Sequence, residues 1–357
     1  MRWSLHEESA LSFGGGRAPN TASRRGLAGR RIGQSMPTRS TLYFHAPCFD
    51  GLVSAALAWD FLEARRDWTR VAPRGVDYRV STKWLRAPRK APFAVVDFLY
   101  HPAAAFWADH HATTFLSEEL ERDFRRRRRP DLVYDRRAPA CADLLWRHLW
   151  TAFRYRNEHF RDMVTWAARI DAAAYRTVNE AIAGTAPALT IRLALSQVAD
   201  PRDCEAFLPW FRTETLSEIA ERPTIRTSAA RARRLLTSGL QRFRQAARLE
   251  DDIVVFDVDT EGAMVSRYAP YRFFPDARYS AGIMRNRGEV KVTAMRNPWR
   301  SFGSAPLGSI FRSLGGGGHE RVGSVVLKAG DARRAPEVLK EIVSAIRLHE
   351  RVKARTA

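Results

Sequence analysis

Residues 93–111 read FAVVDFLYHPAAAFWADHH, and this stretch decides the fold. The apolar run Phe93–Val96 ends in Asp97, and a second short apolar run leads into Asp109-His110-His111. Such runs are typical of buried strands, and polar side chains at the carboxyl ends of strands are typical of an open α/β sheet. The step from Asp97 to Asp109 is near the minimum for a crossover between parallel strands. We therefore predict a very short connecting helix around residues 102–106.

The alternation of strands and helices continues on both sides of this stretch. Leu42–Phe44 predicts a buried strand, residues 45–51 a loop, and the apolar spacing of residues 52–62 a helix packed on the sheet. Further patterns predict two helices, four strands and a final helix at 140–153, 160–183, 253–258, 279–285, 289–295, 322–328 and 335–349. We predict an α/β fold with a mostly parallel sheet flanked by helices, a smaller α+β C-terminal domain, and an active site in the cleft between them.

Composition divides the chain into four segments. Residues 1–40 are rich in Ser, Arg and Gly without apolar periodicity, so we predict a disordered tail. An alternative is that translation starts at Met36. The arginine-rich helical stretch 205–250, interrupted by Pro223, is interpreted as a connector between a first domain at 41–204 and a second at 251–357.

The balance of charge restricts the class of protein. The 357 residues include 59 Lys and Arg against 39 Asp and Glu, a net charge of +20. This favours polyanionic partners such as nucleic acid or phosphate esters, although the arginine bias of a GC-rich genome explains it equally well. No apolar stretch approaches the roughly 18–20 residues of a membrane span, and the first residues lack the apolar run that is typical of a secretory signal. With three scattered cysteines, the sequence predicts a cytoplasmic protein that does not contact membranes.

Five consecutive arginines, Arg125–Arg129, form the densest charge run. Runs of one charge are usually solvated loops, and this is our interpretation. A patch that contacts a nucleic-acid backbone is the alternative.

Two segments supply candidate metal ligands. The first reads His45-Ala46-Pro47-Cys48-Phe49-Asp50-Gly51, where an imidazole, a thiol and a carboxylate can converge on one ion and Gly51 allows a tight turn. Alone it is weak, because such a cysteine is often a small buried apolar residue. Asp97 and Asp109-His110-His111 add ligands suited to Mn²⁺, Fe²⁺ or Zn²⁺. One bridging aspartate could hold two ions roughly 3.5–4 Å apart, as in phosphoester hydrolysis.

A third motif is Gly315-Gly316-Gly317-Gly318-His319, just before the predicted strand 322–328. Successive glycines expose backbone N–H groups to an anion, and the histidine adds a donor. A flexible linker is the alternative for any glycine run. The histidine and the immediate return to a strand argue against it.

With these motifs the chain resembles the DHH phosphoesterases that carry a DHH-associated C-terminal domain. That family includes RecJ-like exonucleases, nanoRNases and phosphoadenosine-phosphate phosphatases. The resemblance covers roughly residues 41–350, and its anchors are Asp109-His110-His111 and the glycine motif, in the family's order. It implies that residues 41–204 are the catalytic domain and 251–357 the substrate-binding domain.

The resemblance also implies a role for each matched residue. His111 would face the scissile phosphate, and Asp109 would orient His110 or join the metal site. The implied metal ligands are His45, Asp50, Asp97, His110 and, by a looser match, Asp171. The implied substrate contacts are Arg296, Gly315, Gly316, Gly317, Gly318 and His319.

Cys48 departs from the family, because most members have an aspartate at this position. A thiolate ligates metal but prefers softer ions than Mn²⁺. Cys48 would therefore shift the metal preference, act as a reserve ligand, or leave one site weak. We expect two Mn²⁺ by resemblance, with Zn²⁺, Fe²⁺ or Co²⁺ as alternatives because of Cys48.

The resemblance implies two-metal hydrolysis of short oligonucleotides or nucleotide phosphates, and a homodimer is an open expectation. We expect no additional nucleic-acid-binding domain of the kind used on long DNA. One alternative is a catalytically degenerate protein that binds nucleic acid through Arg125–Arg129 and the helical connector. Another is a phosphatase of a small non-nucleotide metabolite.

Overall fold

Two β-sheets organise the part of the chain that can be described. The structure is a computed structural model that describes residues 39–66, 68, 70–87, 89 and 92–356, without the side chains of residues 39, 319 and 354–356. The predicted tail therefore lies outside the described residues, except that residues 39–40 already belong to the first strand. Among the helices described, none is both long and apolar enough to cross a bilayer.

The first sheet has five parallel strands in the order β2-β1-β3-β4-β5. Phe44 of β1 pairs with Val96 of β3, and Val96 pairs with Ala108 of β4. The carboxyl ends of these three strands therefore lie side by side at one edge of the sheet. The strands are β1 (Arg39–His45), β2 (Arg70–Val76), β3 (Phe93–Val96), β4 (Phe106–Asp109) and β5 (Leu132–Tyr134).

Nine helices belong to this half of the described chain. Helix α1 is buried along most of its length, because it packs against the sheet and against α3, α4 and α7. The helices are α1 (Phe49–Arg66), α2 (Glu118–Arg127), α3 (Cys141–Phe153), α4 (Arg161–Asp171), α5 (Val178–Ala183), α6 (Pro187–Leu195), α7 (Leu208–Thr213), α8 (Leu216–Glu221) and α9 (Pro223–Ala246). Short 3₁₀ helices lie at Tyr78–Lys83, Glu158–Phe160 and Pro201–Phe207.

The predicted helix at 102–106 is wrong, because residues 97–105 cross from β3 to β4 as a loop. Indole N–H groups satisfy carbonyls that a helix would have paired. Trp84 Nε1 donates to the carbonyl of Leu99 at 3.1 Å, and Trp107 Nε1 donates to that of Phe98 at 3.0 Å. These side chains form a small aromatic core that fixes the loop.

The predicted helix at 160–183 is broken into α4 and α5. Ala173 adopts a left-handed φ of 53°, and the amide of Ala174 donates to the carbonyl of Arg169, which closes the end of α4. Thr177 then caps α5. The break leaves Asp171 as the last residue of α4.

Helices α7, α8 and α9 occupy most of the stretch predicted as a connector. Pro223 interrupts it as predicted, since α8 ends at Glu221 and α9 begins at Pro223. Buried side chains of all three helices, among them Leu208 and Ile219, join the core around the first sheet. Most of this stretch is therefore packed into the first half of the molecule, whereas Phe243 near the end of α9 packs against the second sheet.

The second sheet is mixed, in the order β10-β11-β9-β8-β7-β6, with β7 and β8 parallel and the other pairs antiparallel. The four predicted strands are confirmed as β7 (Ile253–Asp259), β8 (Tyr279–Asn286), β9 (Glu289–Arg296) and β11 (Val322–Leu327). Strands β6 (Ala247–Glu250) and β10 (Gly317–His319) were not predicted. The helices are α10 (Ala269–Phe273), α11 (Leu307–Ser313) and α12 (Ala335–Thr356), with a 3₁₀ turn at Ala329–Arg334.

Both faces of this sheet are covered. Ile253 and Val255 of β7 pack with α11 and α12, whereas Val254 and Phe256 pack against Phe243 of α9. This alternation is the period of two expected of a strand. The fold is therefore the predicted α/β architecture with a second, mixed-sheet unit.

The arginine run is only partly a loop. Arg125, Arg126 and Arg127 form the last turn of α2, where cations complement the helix dipole. Arg125 pairs with Glu121 at 2.6 Å and Arg127 with Asp123 at 2.8 Å. Neighbouring acids therefore offset part of the charge of this run, and the nucleic-acid patch stays an alternative.

Packing of α7 into the first core can be tested with matched leucines. Leu208 is fully buried, so Leu208→Ala should lower the free energy of unfolding by about 2–5 kcal/mol. Leu348 is 65% exposed, and Leu348→Ala should change it by less than about 0.5 kcal/mol. Equilibrium denaturation measures both. If the two substitutions changed the free energy of unfolding by the same small amount, the stretch around α7 would be loosely packed.

Candidate metal centre

The candidate ligands meet where the three central strands end. His45 is the last residue of β1, Asp97 follows β3 directly, and Asp109 is the last residue of β4. Because the registers of these strands place their ends level, the side chains converge at one edge. Two histidines, His110 and His111, follow immediately after β4, and Asp50 lies in the first turn of α1.

Asp97 lies at the middle of the cluster and is fully buried. Its Oδ2 is 3.5 Å from His45 Nδ1, whereas its Oδ1 is 3.8 Å from His110 Nε2 and 3.7 Å from His111 Nδ1. The two oxygens of one carboxylate thus face different histidines. The backbone of Asp97 has a left-handed φ of 55°, which aspartate tolerates better than most residues.

Five buried atoms in this cluster have no hydrogen-bond partner among the described residues. They are both carboxylate oxygens of Asp97, Asp109 Oδ2, His45 Nδ1 and His110 Nε2. A buried polar atom without a partner is costly, and several around one point require an explanation. All five are metal-ligating atoms. The donor set therefore fits a divalent cation.

Three groups of donors overlap in the cluster. Asp97 belongs to two of them and His110 to two. Within each group one ligand atom per residue lies within 4.8 Å of the others. Shared donors of this kind suit two neighbouring ions. The groups are His45 with Cys48 and Asp97, Asp50 with His110 and Asp171, and Asp97 with Asp109, His110 and His111.

Asp50 is held by the start of helix α3. Its Oδ2 accepts a hydrogen bond from the amide of Cys141 at 2.7 Å, and its Oδ1 from the amide of Ala142 at 2.9 Å. The N-terminus of a helix stabilises a carboxylate in this way. The predicted loop at 45–51 is too long, because α1 begins at Phe49 and places Asp50 in its first turn. Asp50 Oδ2 is 3.7 Å from His110 Nε2.

The two histidines of the central motif are oriented differently. His110 Nδ1 lies 3.1 Å from the carbonyl of Ala138, which turns Nε2 towards the carboxylates. Asp109 Oδ1 lies 2.8 Å from His111 Nδ1 and also accepts from the amide of His110 at 2.7 Å. The side chain of Asp109 thus orients the ring of His111, and the carbonyl of Ala138 orients the ring of His110. A place for Asp109 in the metal site stays a prediction, and Asp109 belongs to one of the donor groups.

Burial and crowding set the charges in the cluster. Burial, with the nearby Asp50 carboxylate, holds the pKa of Asp97 well above its usual range. Burial, with His111, lowers the pKa of His45 to about 4, so His45 is neutral at pH 7, the form that ligates a metal. Burial opposes the charge of His111, but Asp109 raises its pKa to about 9. A divalent cation would offset the repulsion among the carboxylates.

Cys48 and Asp171 complete the cluster. Cys48 is half-buried, and its Sγ lies among the ligand atoms of His45 and Asp97. Asp171 Oδ2 is 3.4 Å from His110 Nε2. Asp171 is the last residue of α4, directly before the break between α4 and α5. The structure therefore brings together every residue that the sequence analysis named as a metal ligand, together with Asp109 and His111.

The glycine motif lies elsewhere, on the second sheet. Gly317 and Gly318 form β10, and Gly315 and Gly318 have φ values of 77° and 150°. A Cβ on Gly318 would lie 2.2 Å from the carbonyl oxygen of Val322, and one on Gly316 would lie 2.4 Å from that of Ser324. Close strand pairing therefore requires glycine at these positions.

A pocket of about 310 Å³ opens beside this motif, and we call it the glycine pocket. Besides Gly317 and Gly318, its lining includes the cationic side chains of Arg267 and Lys291 and the hydroxyls of Ser266 and Thr293. Burial opposes the charge of Arg267, but its pKa is raised by Tyr268, by Tyr175 and by Asp171 of the metal cluster. The pocket thus has the donors and positive charge that suit an anion.

Arg296 and His319 stay predictions as substrate contacts. Arg296 is largely buried and donates to the carbonyls of Arg300 and Phe302, both at 2.8 Å, so it holds the loop after β9. The side chain of His319 lies outside the described residues. Sequence reasoning missed Arg267 and Lys291, because no motif distinguishes one arginine among many in this chain.

Tyr78 is another residue that sequence reasoning missed. Its ring is 40% exposed and lies 5.2 Å from that of His45. It belongs to the 3₁₀ helix after β2, a strand that Pro73 hides from a search for strand patterns. An exposed aromatic ring at the edge of the cluster is suited to contact a base.

Gly51 permits the close approach of α1 to the cluster, and this can be tested. A Cβ at this position would lie 2.0 Å from the carbonyl oxygen of His45 and 3.2 Å from Asp97 Oδ2. Gly51→Ala should therefore lower the free energy of unfolding by about 1–3 kcal/mol and weaken stabilisation by Mn²⁺. Gly330→Ala is the control, because a Cβ there meets nothing within 4 Å. Thermal unfolding with and without Mn²⁺ measures both, and equal behaviour of the two variants would contradict this account.

The crowding of carboxylates around Asp97 leads to a prediction about thermal stability. Asp97→Asn keeps the side-chain size and suits a left-handed backbone, so we expect it to melt at a higher temperature than the native protein without metal. Mn²⁺ at about 100 times its Kd should stabilise the native protein by about 2.7 kcal/mol, and Asp97→Asn far less. Asp276→Asn, at a side chain that is 95% exposed, should change neither value. If divalent cations do not change the melting temperature of the native protein, the metal centre is refuted.

The fold that carries this site is similar to that of several solved structures. No family model matches the chain, and no curated protein matches its sequence. Among solved structures, it is similar to the pGpG-specific phosphodiesterase PggH from Vibrio cholerae, with a TM-score of 0.62 and 16% identity over 86% of this chain and 100% of that chain. RecJ from Thermus thermophilus in complex with Mn²⁺ gives a TM-score of 0.57 and 16% identity, over 87% of this chain and 52% of RecJ.

The DHH domain of a member of the s1p family of ribosomal proteins is also similar, with a TM-score of 0.55 and 11% identity over 86% of each chain. These likenesses extend across both sheets. The predicted substitution of cysteine for aspartate at position 48 stays a prediction. The resemblance expected from the motifs is confirmed at the level of the fold, and over most of its length this chain has the fold of the DHH family.

Proposed function

We propose that this protein is a divalent-metal-dependent phosphoesterase that hydrolyses short oligonucleotides or nucleotide phosphates. The observation that carries the proposal is the buried carboxylate of Asp97, whose two oxygens face His45 on one side and His110 on the other without hydrogen-bond partners. Two donor groups that share one carboxylate suit the two-ion hydrolysis of phosphoesters. The DHH-family fold and the phosphodiesterase and RecJ structures among its neighbours support this reading.

The metal ions are proposed to be held by His45, Cys48, Asp50, Asp97, His110 and Asp171. When bound, such ions supply Lewis-acid chemistry and activate water for attack on phosphorus. Mn²⁺ is bound by the neighbouring RecJ structure, which supports it as one of the ions here.

His111 is proposed to contact the reacting phosphate. Asp109 lies 2.8 Å from His111 Nδ1, fixes the ring and raises its pKa to about 9. A protonated His111 carries a second proton on Nε2, which it can donate to a phosphoryl oxygen or to the leaving oxygen. Asp109 thus acts as the positioning residue for this group.

The glycine pocket is proposed to bind the far end of the substrate. Its volume of about 310 Å³ is at the lower end of small-molecule sites, which suits one nucleotide better than a long strand. Arg267 and Lys291 supply positive charge for a phosphate, and Gly317 and Gly318 lie in the same lining. The neighbour PggH is specific for a dinucleotide, pGpG, which agrees with a short substrate.

Hydrolysis by the full chain, stripped of metal and reloaded with Mn²⁺, tests the proposal. The substrates are end-labelled RNA and DNA of two to five nucleotides, 3′-phosphoadenosine 5′-phosphate, and glycerol phosphate as a phosphoester without a base. We expect cleavage of the nucleotides, a loss of about 10²–10⁴-fold in rate for His111→Gln, and no detectable cleavage by Asp97→Asn. Asp276→Asn should retain full activity.

Other outcomes select the alternatives. Binding of the same oligonucleotides without cleavage, after exchange for Zn²⁺, Fe²⁺ or Co²⁺ as well, would favour a nucleic-acid-binding protein. Cleavage of glycerol phosphate alone would favour a metabolite phosphatase. Both results would reject the proposal. A homodimer and a cytoplasmic location stay predictions from the sequence.

A further inference from the structure

We propose that the two ion sites of this centre are chemically different, so that the protein holds one thiophilic ion, such as Zn²⁺, and one harder ion, such as Mn²⁺. The first site is formed by His45, Cys48 and Asp97, and the second by Asp50, His110 and Asp171, with Asp97 between them. The inference rests on the metal centre of the proposed function, and it concerns which ions the ligands of this chain select.

The two donor groups differ in the hardness of their atoms. The first offers one imidazole nitrogen, one sulfur and one carboxylate oxygen. Thiolate and imidazole ligands select Zn²⁺ or Fe²⁺, whereas carboxylates suit Mn²⁺ and Mg²⁺. The second offers one imidazole and two carboxylates, and the Oδ1 of Asp97 is a further oxygen 3.8 Å from His110 Nε2. The second group therefore favours the harder ion.

The spacing in the first site agrees with a tetrahedral ion. Two donors bonded at roughly 2.0–2.2 Å to one tetrahedral centre are about 3.3–3.6 Å apart. His45 Nδ1 and Asp97 Oδ2 are 3.5 Å apart, and neither has a hydrogen-bond partner among the described residues. Three protein ligands with one open position are also the arrangement of catalytic zinc sites. Cys48 supplies the third ligand of this set.

The backbone holds Cys48 in place. The carbonyl of Cys48 accepts a hydrogen bond from the amide of Leu52, so the residue is fixed at the start of α1. The other two cysteines are fully buried and belong to none of the donor groups. The thiol of Cys141 instead donates to the carbonyl of Ala108 at 3.3 Å. Of the three cysteines, Cys48 is therefore the one whose thiol belongs to a donor group of the metal centre.

Metal content of the full chain tests the inference. The metal-free protein is incubated with one molar equivalent of Zn²⁺ and an excess of Mn²⁺, because Zn²⁺ in excess would outcompete Mn²⁺ at either site. It is then desalted and analysed by inductively coupled plasma mass spectrometry. We expect one Zn²⁺ and one Mn²⁺ per chain. Cys48→Asp replaces the sulfur by oxygen, and its ratio of zinc to manganese should fall by at least about tenfold, as when a metal's ligand environment is altered. Cys204→Ala, which removes a thiol far from the donor groups, should retain the native ratio.

Cobalt spectroscopy gives a readout that does not depend on activity. Co²⁺ bound to a thiolate has a sulfur-to-cobalt charge-transfer absorption, which we expect in the native protein and in Cys204→Ala. It should be absent from Cys48→Asp and from Cys48→Ser, the more conservative variant. Circular dichroism establishes that each variant is folded, and if neither Cys48 variant folds, the spectrum and metal ratio of the native protein still decide.

Two manganese ions in the native protein, the absence of the charge-transfer absorption, or an unchanged zinc ratio in Cys48→Asp would overturn the mixed centre. These results are separable from failure of the proposed function. Hydrolysis by a protein with two Mn²⁺ and no thiolate signal rejects the mixed centre alone. A mixed centre in a protein that cleaves none of the substrates rejects the activity alone.

Discussion

The buried carboxylate of Asp97 is the constraint on which the rest of the site depends. It stands at the end of β3, between β1 and β4, and the register of these strands brings His45 and Asp109 to the same level. Its two oxygens are directed to opposite sides, one towards His45 and one towards His110. A single side chain thus joins two groups of donors, and Gly51 allows α1 to approach it closely.

A cluster of buried, unsatisfied polar atoms destabilises a fold, so the surrounding structure must offset it. Three features do so. Helix α1 is buried against the sheet and its neighbouring helices, the amides at the start of α3 hold Asp50, and the aromatic core around Trp84 and Trp107 fixes the loop after Asp97. This frame fixes the backbone positions from which the ligand side chains project.

Charge is distributed more selectively than the net value of +20 suggests. Arg125 and Arg127 of the arginine run are paired with acids on the same helix, whereas Arg267 and Lys291 line the glycine pocket together with Gly317 and Gly318. Asp171 takes part in the metal cluster and also raises the pKa of Arg267, so the two halves of the molecule are coupled electrostatically at this point. Arg296, by contrast, supports the loop after β9.

The sequence by itself determined the parallel α/β class, the smaller α+β C-terminal unit and the candidates His45, Asp97 and Asp109, because apolar runs that end in Asp or His report both a buried strand and its functional end. Asp171 was named only through the family resemblance. Only the tertiary structure decided the rest. The crossover from 97 to 105 is a loop because indole groups satisfy its carbonyls, and β2 is a strand despite Pro73. Asp109 orients His111 while Ala138 orients His110, and Arg267 and Lys291 reach one pocket. Apart from the contact between Asp109 and His111, which are two residues apart, these features arise from contacts between residues separated in the chain, which no local pattern encodes.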